Sequence, residues 1–130
     1  MIIFAGSNPS TAAKSLVPFT PDTKSGQVLA MWIMAAGIED HVQLNVVNYT
    51  TENNKPLSVP QMKEAAHDIA QILNPHDKIV ALGKTASKVL TMAGISHLEL
   101  PHPSGRNRKL NCPFYVNECI SKLRDYAYPG

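Results

Sequence analysis

Cysteine is scarce in this chain: Cys112 and Cys119 are its two thiols. On a helix their spacing puts them on one face, two turns apart and out of disulfide reach. A reduced, cytoplasmic protein is the expectation. No apolar run reaches the ~18 residues that would suggest a membrane helix. The N-terminal run turns polar at Ser7 and meets Pro9, so no signal peptide is expected. Charged residues make up 17% and the formal net charge is +2. That balance permits a nucleic-acid partner without arguing for one. Metal patterns are missing too. His41, His67, His76, His97 and His102 show no His-Glu-x-x-His spacing and make no zinc pattern with the cysteines. A Gly-x-Ser-x-Gly elbow and a catalytic-cysteine signature are absent as well.

What is present is a hydrophobic content of 44% in 130 residues, enough for a core and for one domain spanning 1–130. Met1 to Ala5 is an apolar run ended by Gly6, and reads as a buried strand. Residues 7–24 are rich in Ser, Thr and Pro and read as a long loop, a length usually kept for function. From Ser25, Val28, Leu29, Trp32, Ile33 and Ala36 share a helical face that stops at Gly37. Val42 to Val47 is a second, β-branched strand. After a polar loop, Ser58-Val59-Pro60-Gln61 has the form of a capping box. Met62, Ala65, Ala66, Ile69 and Leu73 follow at helical spacing. Lys78 to Leu82 is a third strand, Ala86 to Ala93 a third helix, Ile95 to Leu100 a fourth strand and Pro113 to Tyr126 a last helix.

Strict alternation of strand and helix predicts the α/β class, a three-layer α/β/α domain with a central four-stranded parallel sheet; the order expected for its strands is 2-1-3-4. Loops at the carboxyl ends of such strands meet in one crevice. Two loops fall there. Gly6-Ser7-Asn8-Pro9-Ser10 follows the first strand, and Leu100-Pro101-His102-Pro103-Ser104-Gly105-Arg106-Asn107 follows the last. Read alone, the first is a turn made of turn-forming residues. Alternatively, the Asn8 carboxamide positions a water there without being able to take its proton. The second is either a solvated basic loop or a phosphate grip, with Ser104, the amides near Gly105, and Arg106, Arg108 and Lys109 supplying contacts. Gly83-Lys84-Thr85-Ala86-Ser87 lacks the Walker A spacing and reads first as a turn into a helix, whose N–H groups could also meet an anion.

Together these segments resemble the uracil-DNA glycosylase superfamily. Its members carry a Gly-x-(Asp/Asn/Glu)-Pro-(Gly/Tyr) loop after the first strand and a His-Pro-Ser loop after the last. Gly6 to Ser10 and His102 to Ser104 stand here in that order. Pro18-Phe19, with Ser25 to Leu29 and Ala35-Ala36-Gly37, looks like the segment of the family's base-stacking phenylalanine. Ile79 to Ala86 is similar to its Ala-Leu-Gly-x-Thr-Ala turn, and Leu44-Asn45-Val46-Val47 resembles the strand end that supplies a base-reading asparagine.

The resemblance implies a glycosylase that flips uracil or a 5-substituted uracil out of DNA and hydrolyses its glycosidic bond. Asn8 and His102 would be catalytic. Gly6, Ser7, Ser10, Phe19 and Asn45 would form the base pocket, with Asn48 as the alternative to Asn45. Ser104, Gly105, Arg106, Asn107, Arg108 and Lys84 would meet the DNA. Ser10 stands where the most uracil-selective branch has a tyrosine, which leaves space at the 5-position of the base. Cys112 and Cys119 match none of the iron–sulfur cysteines of the thermophilic branches. No lysine stands in the two loops, so no Schiff-base step is implied. A monomer without metal or cofactor is expected, and the short chain suggests a phage-encoded member acting in the cytoplasm. The competing expectation is a member that binds a nucleobase, nucleotide, DNA or a protein partner without catalysis.

Overall fold

A computed structural model describes residues 1–7, 19, 23–47, 55–74, 76–103 and 108–129. Every residue of strand β1 (Ile2–Gly6) is buried, because both faces of this strand are covered. It lies between β2 (His41–Asn45) and β3 (Lys78–Leu82), with β4 (Leu98–Leu100) beyond β3. All pairings are parallel, as the alternating pattern predicts, and the order is β2-β1-β3-β4, the order expected.

The two-residue period of the strands divides the core into two clusters. Ile3, Ala5, Ile79 and Ala81 face helices α2 (Val59–Ile72) and α3 (Lys84–Met92). Ile2, Phe4, Val80 and Leu82 face α1 (Lys24–Ala36) and α4 (Pro113–Ala127). This gives three layers, α/β/α. Fully buried Trp32 and Leu29 of α1 and Leu123 of α4 anchor the second face.

Local signals set the helix ends. Thr23 caps α1 by accepting from the Gly26 N–H at 3.0 Å, and Gly37 stops it in the left-handed conformation at φ 73°. The capping box of α2 closes in both directions. Ser58 Oγ accepts from the Gln61 N–H at 3.3 Å, and Gln61 Oε1 accepts from the Ser58 N–H at 2.8 Å.

Three boundaries differ from the sequence expectation. The regular part of β2 ends at Asn45 rather than Val47, although Val46 and Val47 still donate to Gly6 and Ser7 carbonyls at 2.9 and 3.1 Å. β4 begins at Leu98 rather than Ile95. The Ile95 N–H turns back to the Leu90 carbonyl at 2.9 Å, and the His97 ring is held between Ser87 Oγ at 2.7 Å and the Ile95 carbonyl at 2.8 Å. Those bonds use groups that a longer strand would need. An unforeseen 3₁₀ turn, Arg108–Asn111, precedes α4.

The order of the strands places the crevice. From β1 the chain moves outward to β2, then returns across β1 to β3. Helix α1 covers one face and α3 the other. The connections after β1 and β3 therefore diverge, and the gap opens at the carboxyl ends of these two central strands. Gly6 ends β1 and Gly83 follows β3. Among the described residues no helix is long and apolar enough to cross a membrane.

Candidate active site

Gly6 is the floor of the crevice. The parallel register sets it beside Asn45, the last residue of β2. A Cβ on Gly6 would lie 2.7 Å from Asn45 Oδ1 and 3.2 Å from two carbons of the Phe19 ring. Glycine is needed here for space, since the carboxamide and the ring both lean over its Cα. Asn45 is buried, a rare location for an amide unless its environment is polar and specific. Phe19 holds a positive φ of 58°, an unusual conformation for a bulky residue.

Gly83 is the second floor residue. Its φ of 102° lies in the region that favours glycine, and His102 sits over it. A Cβ on Gly83 would be 3.4 Å from His102 Cβ. The Gly83 N–H donates to the Leu100 carbonyl at 2.9 Å, which ties the β3 end to the start of the His102 loop. Sequence reading assigned Gly83 to a tight turn; the turn also carries the histidine.

Phe19 joins the two halves. Its ring centroid lies 5.6 Å from that of His102, with the planes at 52°. The order β2-β1-β3-β4 makes this possible, because only the one strand β3 separates the β1 and β4 loops. Although His102 still reaches solvent, the packing around its ring desolvates it and lowers its pKa below the usual histidine value. That shift favours the neutral imidazole, which can donate a hydrogen bond without bringing a charge of its own.

Beside His102 a cleft of about 480 Å³ runs along the β4 edge, lined among others by Lys84, Lys109, Tyr115 and Lys122. Lys84 is the exposed first residue of α3, and Arg108 is exposed at the start of the 3₁₀ turn. Tyr115 and Lys122 were not foreseen there. Their seven-residue spacing puts them on one face of α4, which is a signal the sequence carries.

Of the expected site residues, Gly6, Ser7, Phe19, Asn45, His102, Lys84 and Arg108 are described, and Gly6, Phe19, Asn45 and His102 come together around the crevice. Asn8, Ser10, Asn48, Ser104, Gly105, Arg106 and Asn107 lie outside the described residues. The other histidines are elsewhere. His41 meets the edge of the Phe4 ring, His97 bonds Ser87, and His67 and His76 are exposed.

The fold is a three-layer α/β/α domain whose parallel sheet opens a crevice that brings together an aromatic ring, a buried carboxamide and an imidazole. The sequence matches the family model described as the uracil DNA glycosylase superfamily over residues 1–124, and the chain belongs to that superfamily. No curated protein matches the sequence.

Proposed function

We propose that this protein is a monofunctional DNA glycosylase that removes uracil, or a 5-substituted uracil, flipped out of DNA. Superfamily membership supports the reaction class. The observation that carries the reading is the convergence of Phe19, Asn45 and His102 over Gly6 and Gly83.

The reaction needs three things, and the crevice offers groups for each. Extruding a base from the stack costs a few kcal/mol, least for a mispaired one. In this reading Phe19 offsets part of that by stacking on the extruded ring. Asn45 pairs with the amide edge of the base, and a base of the wrong pattern would meet its carboxamide with mismatched donors and acceptors. The bond between C1′ and N1 then breaks, and its electron pair goes to the base. His102 donates to the carbonyl oxygen where that charge gathers, as a donor already held in place. Water adds to C1′ and its proton passes to the released base anion, leaving an abasic sugar and the free base. Asn8 positions that water through its carboxamide, which cannot serve as a base, so a slow hydrolysis is expected. Gly6 and Ser7 line the pocket beside it, and the small Ser10 leaves room for a 5-substituent. Ser104, Gly105, Arg106, Asn107, Arg108 and Lys84 meet the backbone. The mechanism calls on no metal or cofactor and on a single copy of the chain.

The test uses labelled oligonucleotides that carry uracil, 5-hydroxymethyluracil, hypoxanthine or thymine opposite guanine, followed by alkaline cleavage of abasic sites. Product formation that is lost in His102→Ala and Asn8→Ala supports the proposal. Ser10→Tyr should then suppress cleavage of 5-hydroxymethyluracil more than that of uracil; equal activity on both would remove the role given to Ser10. The carboxamide at Asn8 favours one second reading, a base- or DNA-binding member without turnover. DNA binding with no product from any substrate would select it.

A further inference from the structure

His97 plays no part in the base pocket, yet both nitrogens of its ring are engaged. Nδ1 lies 2.8 Å from the Ile95 carbonyl. A carbonyl only accepts, so Nδ1 carries the proton and donates. In the neutral ring Nε2 is then the acceptor, and Ser87 Oγ donates to it at 2.7 Å. Ser87 is buried. A buried serine bonded to a histidine is a costly way to fill a corner, since two apolar side chains would do so without desolvating polar groups. What the pair supplies beyond packing is a bond of defined length and direction.

That bond joins two segments that meet again at His102. Ser87 stands in the first turn of α3, where its N–H donates to the Gly83 carbonyl at 3.2 Å. Gly83 is the residue over which His102 sits. His97 directly precedes β4, and Leu100, at the other end of β4, accepts from the Gly83 N–H at 2.9 Å. β4 has 3 residues and lies at the sheet edge, so its ladder with β3 is a short guide by itself. The turn that leads into it is fixed to α3 as well, because the Ile95 N–H returns to the Leu90 carbonyl at 2.9 Å. The strand that delivers His102 is therefore tied to the start of α3 at both ends, by His97 to Ser87 and by Leu100 to Gly83.

We propose that Ser87 and His97 are positioning residues for His102: their hydrogen bond sets where β4 stands along α3, and with it how the His102 ring is seated on Gly83 and against Phe19. The inference rests on the reading of His102 as the donor to the departing base and adds what holds that donor in place. A loosened β4 lets the ring lift out of its packing on Gly83 and Phe19 toward solvent. The desolvation that lowers its pKa then shrinks, whereas a loss of stability alone leaves His102 of the folded chain as it is.

The test is an NMR titration of the His102 ring in the full chain without substrate, followed by single-turnover excision from a uracil oligonucleotide. In Ser87→Ala and in His97→Leu the His102 midpoint should rise toward the ordinary ~6.5. Excision should slow about 10-fold in both, with affinity for the oligonucleotide unchanged. His97→Gln keeps an acceptor within reach of Ser87 and should return both readings most of the way to wild type. Lys84, Glu99, Lys109, Tyr115 and Lys122, the titratable groups of the cleft beside His102, are the same in every variant, so a moved midpoint reports the seat of the ring. Ser87→Ala combined with His97→Leu fills the corner with apolar groups, and His102 should stay shifted there whatever the thermal midpoint does. A His102 midpoint unmoved in Ser87→Ala and His97→Leu, or restored by the apolar pair, would overturn the positioning role. If the midpoint moves while the wild type cleaves no substrate, the positioning stands and the glycosylase reading fails on its own.

Discussion

Gly6→Ala separates the proposed chemistry from the fold. The new methyl carbon would lie 2.7 Å from Asn45 Oδ1 and 3.2 Å from the Phe19 ring. To reach an ordinary 3.4 Å contact the carboxamide has to withdraw by about 0.7 Å and the ring by about 0.2 Å. Gly6 is a strand residue without a positive φ, so alanine adds no backbone strain. The displaced atoms are the end of a side chain and the edge of a ring. Relaxation should cost about 1–3 kcal/mol, and the midpoint of thermal unfolding should drop by about 4–12 °C. Activity is more sensitive, because a misplacement near 1 Å removes about 100-fold. We expect kcat/KM on a uracil oligonucleotide to fall about 10- to 100-fold while the fold survives. Single-turnover excision and a thermal scan on the same preparation read both quantities. Wild-type excision in Gly6→Ala would refute the assignment of Asn45 and Phe19 to the base. A large loss of stability would refute the claim that the contact is functional rather than part of the core.

Four further outcomes follow from the same structure. Because the His102 pKa is lowered by desolvation, its neutral form is the working form, and kcat/KM should fall as pH drops through a midpoint below the ordinary ~6.5; a rate that climbs on acidification would show that the imidazolium is the donor. The same shift links to stability. In the window between the lowered folded value and the unfolded value of about 6.5, the unfolded chain binds more protons, so the folded state loses stability as pH falls and is unaffected above that window; proton NMR titration of the His102 ring reads the midpoint directly. Lys78 Nζ donates to the Tyr126 and Ala127 carbonyls at 3.0 and 2.9 Å, at the C-terminal end of α4. Lys78→Met should lower stability by about 1–2 kcal/mol in urea titration with excision intact, and an unmoved midpoint would deny the cap its role. Ser58→Ala removes one arm of the α2 capping box and should lower stability by about 1 kcal/mol, far from the crevice.

Much of this was legible from residue order. Strand and helix periods, Gly37 and the Ser58–Gln61 box name their elements because each acts within a few residues of itself. The same locality explains the miss at β4, where the Ile95 N–H and the His97 ring are taken by partners on α3 and in the turn, which the apolar run does not reveal. The 3₁₀ turn at Arg108–Asn111 escaped for a related reason, since a short basic stretch has no periodicity to read.

By itself the sequence determined the α/β class and the residues that could serve a base pocket: two loops, a phenylalanine, an asparagine and a histidine. Tertiary structure decided which of them meet. Asn45 comes to Gly6 because parallel pairing puts the ends of β1 and β2 in register, and His102 comes to Phe19 because β4 lies one strand from β1. It also showed that Gly83 is the seat of His102. These are contacts between residues dozens of positions apart. Their existence depends on register and crossover, which local preferences along the chain do not encode.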